Sequence, residues 1–202
     1  MAGLLAPAMV CAATLTVDVS DSTGAPMPDA AVYAEAAGGQ ELPKAMHDVE
    51  IQQKKRQFLP LLTVIQVGTK ISFPNNDTVK HHVYSFSPAK VFDIPLYSGK
   101  TGAAQSFDKI GTVVLGCNIH DQMIAYVQVV NTPYFGKTDA SGKVRIEGLP
   151  PGKYTLKAWY YNLPVTAQVV EQALTMTAAD ADASFKLGVK AGPPPVSEGQ
   201  AW

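Results

Sequence analysis

Apolar and polar residues alternate at every second position along much of this chain, and that period admits few architectures. Leu15, Val17 and Val19 alternate with Thr16, Asp18 and Ser20; Val144 and Ile146 alternate with Lys143, Arg145 and Glu147; Tyr154, Leu156 and Ala158 alternate with Thr155 and Lys157. Successive side chains of an extended strand point to opposite faces, so each run predicts a strand with one face buried. The stretches "DSTGAPMP", "PNND", "DASG" and "LPPG" read as turns between strands, and no long segment keeps a helical period with caps at both ends. Many short strands separated by glycine and proline turns predict an all-β chain of sandwiches. There is no internal repeat. The closing "AGPPPVSEGQAW" predicts a flexible, proline-rich tail over 191–202.

With 202 residues, 47% of them hydrophobic and 16% charged, the chain is large enough for one or two cores. Sixteen Lys plus Arg stand against 17 Asp plus Glu, for a net charge of -1, and neither sign forms a stripe that could track phosphates or a membrane surface. Nucleic acid is therefore not expected as a partner. A membrane span needs about 20 consecutive apolar residues, and none is present. The opening "MAGLLAPAMVCAA" is apolar and ends in small residues, which predicts a signal peptide over 1–13 and an exported, periplasmic protein. It departs from the usual signal in having no basic residue before Lys44, and Met9 and Val10 are bulkier than the residues that precede a lipidated cysteine. Cleavage there removes Cys11 and leaves Cys117 as the one thiol, in an oxidising compartment. Such a thiol calls for burial, an intermolecular disulfide or a metal.

The stretch "GTVVLGCNIHDQMIAYVQVV", residues 111–130, sets Cys117, His120 and Met123 in a turn between two expected strands. A type-1 copper site takes two imidazoles and a thiolate near one plane, with a weak axial thioether, because soft donors select copper. Cys-x-x-His-x-x-Met lets one turn close around a single ion. The missing imidazole must come from elsewhere, and "PNNDTVKHHVYSFS", residues 74–87, offers His81 and His82 at the start of another expected strand.

Taken together, "VGTKISFPNNDTVKHHVYSF" and "GTVVLGCNIHDQMIAYVQVV" resemble the small blue copper proteins, the cupredoxins of the plastocyanin and amicyanin type, over about residues 50–130. Gly68, Ile71, Phe73, Asn75 and Asp77 match the strand and turn ahead of the first ligand histidine. Gly111, Val113, Leu115 and Cys117 match the strand ending at the ligand cysteine, and Met123, Ala125, Val127 and Val129 match the closing strand. The resemblance implies a cupredoxin-like Greek-key sandwich holding one type-1 copper ion through His81, Cys117, His120 and Met123. Its His-Asn-Val pattern aligns His81 with the ligand and His82 with an asparagine that helps tie the ligand loops together. Strand alternation favours the other histidine, since His82 shares a face with Tyr84 and Phe86 while His81 shares one with Val83 and Ser85. Ile119 stands where many relatives carry proline.

On either side, "LTVDVSDSTGAPMPDAAVYAE" (15–35) and "KTDASGKVRIEGLPPGKYTLKAWY" (137–160) resemble two halves of a carboxypeptidase-regulatory-like or transthyretin-like β-sandwich. That resemblance implies a split domain, 14–37 plus 132–190, with a cupredoxin-like domain inserted over 38–131; two sequential sandwiches are the alternative. The whole chain resembles exported proteins labelled methylamine-utilisation proteins.

Taken singly, Met123 reads as core filler, Cys117 as a small buried hydrophobe and each histidine as a surface residue. Together, in order and on matching strands, they read as a site. His47 has no partner by motif and is read as structural. There is no G-x-S-x-G elbow, phosphate-cradling glycine loop or His-Glu-x-x-His, and Cys117 with His120 lacks the orienting third group of a thiol nucleophile, so no catalysis is expected. The leading expectation is an electron carrier whose partner is a redox protein such as a dehydrogenase or c-type cytochrome. Copper storage or delivery, and a metal-free binding module, are the alternatives.

Overall fold

The computed structural model describes residues 13–38, 47–99, 104–164 and 169–193. Residues 1–12, nearly all of the expected signal peptide, and 194–202, most of the expected tail, lie outside the described residues. The chain is all-β: the regular elements are β1 (Ala13–Ser20), β2 (Ala31–Ala36), β3 (Val49–Glu50), β4 (Gln52–Lys54), β5 (Gln57–Leu59), β6 (Leu62–Gln66), β7 (Lys70–Ser72), β8 (His81–Ser87), β9 (Lys90–Tyr97), β10 (Gln105–Ser106), β11 (Gly111–Gly116), β12 (Ile124–Val130), β13 (Phe135–Lys137), β14 (Lys143–Leu149), β15 (Gly152–Trp159), β16 (Val170–Met176) and β17 (Ala181–Lys186). No helix among the described residues is long and apolar enough to cross a membrane.

Sheets β14-β1-β17 and β13-β2-β15-β16 draw only on the first and last parts of the chain. Their alternating residues behave as the period demands: Leu15, Val17 and Val19 of β1, Val144 and Ile146 of β14, and Tyr154, Leu156 and Ala158 of β15 are buried in one core with Val32 and Ala34 of β2. The turns are held by short acidic side chains. Asp21 Oδ1 accepts from the Thr23 and Ala25 N–H groups, and Asp139 Oδ1 accepts from Ser141 and Lys143; such side chains stand in for backbone acceptors in tight turns. Gly142, at φ 76°, has no room for a side chain, since a Cβ there would lie 2.5 Å from the Val19 carbonyl oxygen. At the other end, Ala191 N–H donates to Asp21 Oδ2 at 3.2 Å, and the Gly192 carbonyl accepts from the Tyr160 and Tyr161 hydroxyls at 2.9 and 2.7 Å.

The middle of the chain makes a five-stranded sheet, β6-β12-β11-β8-β9, a three-stranded sheet, β10-β7-β3, and the β4-β5 hairpin. Ile71, Phe73, Val83, Phe107, Val113, Leu115, Val127 and Val129 fill a second core with Cys117 and Met123. The two cores meet where Tyr126 of β12 stacks on Tyr161, with ring centroids 5.1 Å apart, and packs with Ala31 and Leu62. This contact buries β12 on both faces, so Tyr126 and Gln128, at positions that alternation alone assigns to solvent, are buried.

Candidate metal centre

Strands β11 and β12 pair in antiparallel register from Gly111↔Val129 to Gly116↔Ile124, which leaves residues 117–123 as the loop between them. Cys117 is the first residue off β11 and Met123 the last before β12; both are buried in the middle core. The Met123 N–H donates to the His120 carbonyl at 2.8 Å and closes the loop. Three soft side chains collect here because a seven-residue hairpin loop turns its ends inward and its tip outward. Asn118, Ile119, Asp121 and Gln122 are exposed, and His120 is half-buried between them.

The second imidazole comes from the neighbouring strand. Gly116 of β11 pairs with Tyr84 of β8, and β8 begins at His81, which is fully buried. His81 Nδ1 lies 3.2 Å from His120 Nδ1, and Cys117 Sγ lies 3.9 Å from the same nitrogen. All three donor atoms fall within 4.8 Å of one another. With metal–nitrogen bonds of about 2.0 Å and a metal–sulfur bond of about 2.3 Å, donors in one trigonal plane stand about 3.5 Å (N to N) and about 3.8 Å (N to S) apart. The spacing and the donor chemistry fit a type-1 copper ion.

Behind the donors a polar network fixes the histidine. Asp77 Oδ2 accepts the Arg56 N–H at 2.8 Å and lies 3.0 Å from His81 Nε2. These two bonds, the Arg56 amide foremost, lower the Asp77 carboxyl to about 2. An ionised Asp77 accepts a proton-bearing Nε2, which leaves the Nδ1 lone pair facing the other donors. Asp77 is itself placed by its N–H bond to Asn75 Oδ1 (2.9 Å), and Asn75 Nδ2 donates to the Val79 and Tyr97 carbonyls. Burial, then the nearness of His81 and Arg56, pushes the His120 pKa down, so the ring is held neutral, the form that can donate a lone pair. Beneath the site the Tyr97 hydroxyl donates to the Phe73 carbonyl at 2.6 Å, with the Gln53 amide against it; burial raises this phenol to about 12. Asp77 falls in the turn that the resemblance matches, but nothing in the sequence marks it as the partner of His81, and Gln53 carries no mark that distinguishes it from other strand residues.

Strand alternation misleads at β8. It favours His82 on the premise that Tyr84 and Phe86 face the core, yet the buried face carries His81, Val83 and Ser85, and Phe86 is 68% exposed. Aromatic size is not a guide to the inward face when three rings line the outer one: His82, Tyr84 and Phe86 pack as tilted neighbours with successive centroids 5.3 and 5.2 Å apart. His82 Nε2 turns to Asp93 Oδ1 at 2.5 Å, away from the His81–Cys117–His120 group. His47 sits exposed in the loop before β3.

No family profile matches the chain, and no curated protein matches it. Among solved structures, a purple cupredoxin from Nitrosopumilus maritimus is 23% identical over 41% of this chain and 99% of its own, with a TM-score of 0.37. Amicyanin from Paracoccus versutus is 20% identical over 48% of this chain and 91% of its own, with a TM-score of 0.38. A copper-containing nitrite reductase from Thermus scotoductus is 24% identical over 48% of this chain, with a TM-score of 0.39, and the match spans 25% of that enzyme's length.

Proposed function

We propose that the chain is an exported type-1 copper protein that transfers single electrons, in which His81, Cys117 and His120 would hold the ion and Met123 would supply a weak thioether donor. The observation that supports this reading is the convergence of His81 Nδ1, Cys117 Sγ and His120 Nδ1 within 4.8 Å on two hydrogen-bonded strands and one tight loop. Copper, when bound, supplies a one-electron Cu(I)/Cu(II) couple. The chain's own part is to hold the donors still. Asp77 orients His81, the Met123 amide braces His120, and the core around Cys117 keeps water from the thiolate. Donors that do not move between oxidation states keep the reorganisation small, and the half-exposed His120 edge is where an electron enters or leaves. A dehydrogenase or c-type cytochrome is the kind of partner such a carrier serves.

The test is a titration of Cu(II) into the full chain. An intense blue band that disappears in Cys117→Ser and weakens in His81→Ala, but survives His82→Ala, is expected. A colourless tight complex would point to copper storage or delivery. No uptake at all would leave a metal-free sandwich module.

A further inference from the structure

Strands β4 and β5 pair Gln52↔Leu59, Gln53↔Phe58 and Lys54↔Gln57, so the hairpin turns on two residues, Lys55 and Arg56. Both have positive φ, 54° and 57°. Two-residue turns of this kind take Asn-Gly or Asp-Gly by preference, because a Cβ is disfavoured at positive φ. This chain instead puts two long cations there, after a third at Lys54, and all three are exposed.

The strained turn is held from below. Phe58 is buried, the Gln53 amide donates to the Phe73 carbonyl, the Gln53 N–H donates to the Pro74 carbonyl at 2.9 Å, and the Arg56 N–H is bound by Asp77. Asp77 is the same carboxylate that orients His81. The hairpin is thereby fixed to the metal centre, and its tip forms, with His120 and Gln122, a cleft of about 400 Å³. Asp121 also lines the cleft, and Asp77 lies under the turn; against these two carboxylates stand the exposed Lys55 and Arg56 of the cleft and the exposed Lys54 before them.

We infer that the Lys54–Lys55–Arg56 tip and the exposed edge of His120 form one docking surface for the carboxylate-rich face of a redox partner protein. The inference rests on the reading of His120 as the electron's point of exit. A rigid cationic rim beside that edge speeds encounter and sets orientation, an effect carried by association rate and salt dependence. Strain kept in a turn is accounted for when its residues are needed where they stand.

The probe is fluorescein-labelled poly-L-glutamate, and the measurement is fluorescence anisotropy with the metal-free full chain. Ionic strength is set at about 10 mM, where the screening length is about 30 Å, and at about 0.15 M, where it is about 8 Å. The test variant is Lys54→Gln/Lys55→Asn/Arg56→Asn, since Asn tolerates positive φ and keeps the amide that Asp77 binds. The control, Lys153→Gln/Lys186→Gln/Lys190→Gln, removes the same charge from exposed sites elsewhere. Affinity at low salt should fall about tenfold or more in the hairpin variant, change less than about twofold in the control, and drop for the parent protein at the higher salt. Equal losses in variant and control, or none in the hairpin variant, overturn the docking surface. Inorganic phosphate binding as tightly as polyglutamate overturns the protein-sized occupant. Because no copper is present, failure here leaves the copper reading standing; a colourless copper titration strikes the electron-transfer reading and the redox partner with it, whatever polyglutamate does.

Discussion

Gly116 precedes Cys117 and faces Tyr84 across the β11–β8 pairing. A Cβ built there lies 2.7 Å from Tyr84 Cζ and 2.8 Å from its hydroxyl oxygen. Ordinary contact begins near 3.4 Å, so Gly116→Ala must push ring and strand about 0.7 Å apart. The ring is flanked by His82 and Phe86 at centroid distances of 5.3 and 5.2 Å and has no free side to retreat to along its strand. Overpacking of this kind costs about 1–3 kcal/mol. Replacing a strand glycine by alanine recovers about 0.5–1 kcal/mol of chain entropy. The net expectation is a loss of about 1 kcal/mol, or about 2–4 °C in a chain of this size. Tyr84→Ala removes the obstruction, so Gly116→Ala in that background should be neutral or stabilising. Urea unfolding of the four metal-free proteins, followed by circular dichroism, completes the cycle, and a coupling of at least about 1 kcal/mol is expected. Additive effects would refute the contact. The copper band reports which partner gave way: it is unchanged if the ring moves and weakened if β11 moves, since Cys117 is the next residue.

Met123→Gln should keep copper and colour with a lowered reduction potential, and Met123→Leu should raise it, because an amide oxygen favours Cu(II) more than a thioether does; cyclic voltammetry that fails to order Leu above Met above Gln would make Met123 a packing residue only. Asp21, lowered from 3.8 to about 2 chiefly by the Thr23 hydroxyl, is depressed in the folded state. Its contribution to stability is therefore complete above the ordinary carboxylate range and lost as pH falls from about 4 towards 2. Asp21→Asn should unfold more easily than the parent at pH 6, with the difference closing over that interval, and a constant difference down to pH 2 would show that the charge is irrelevant. We propose that residues 38–131 are an insert in a split sandwich: a chain joining residue 37 to residue 132 by a short linker should unfold cooperatively, as the core around Leu15 and Leu156 draws on the flanking segments alone, whereas a molten product would favour two sequential domains.

Period two and turn chemistry are local properties, so the sequence alone determined the all-β class, the inward faces of β1, β14 and β15, and the cluster of Cys117, His120 and Met123 within one hairpin loop. Ligand chemistry is likewise local where donors are three residues apart. What the sequence left undecided is contact between distant segments. Whether His81 or His82 faces the other donors is a question of which side of β8 turns to the core: the resemblance's His-Asn-Val pattern implies His81, aromatic alternation favours His82, and full burial of Val83 and Ser85 with His81 shows which face turns inward. Asp77 meets His81 four residues on, but the Arg56 amide that also binds its carboxylate arrives only because β4 and β5 bring it there. Lys55 and Arg56, cations lost in a nearly neutral composition, become a surface feature because a turn with positive φ at both residues sets them in one cleft with His120, just after the exposed Lys54. Tyr126 and Gln128 are buried because a second core lies against β12. Alternation records one buried face per strand, and the second face is settled only by what packs there.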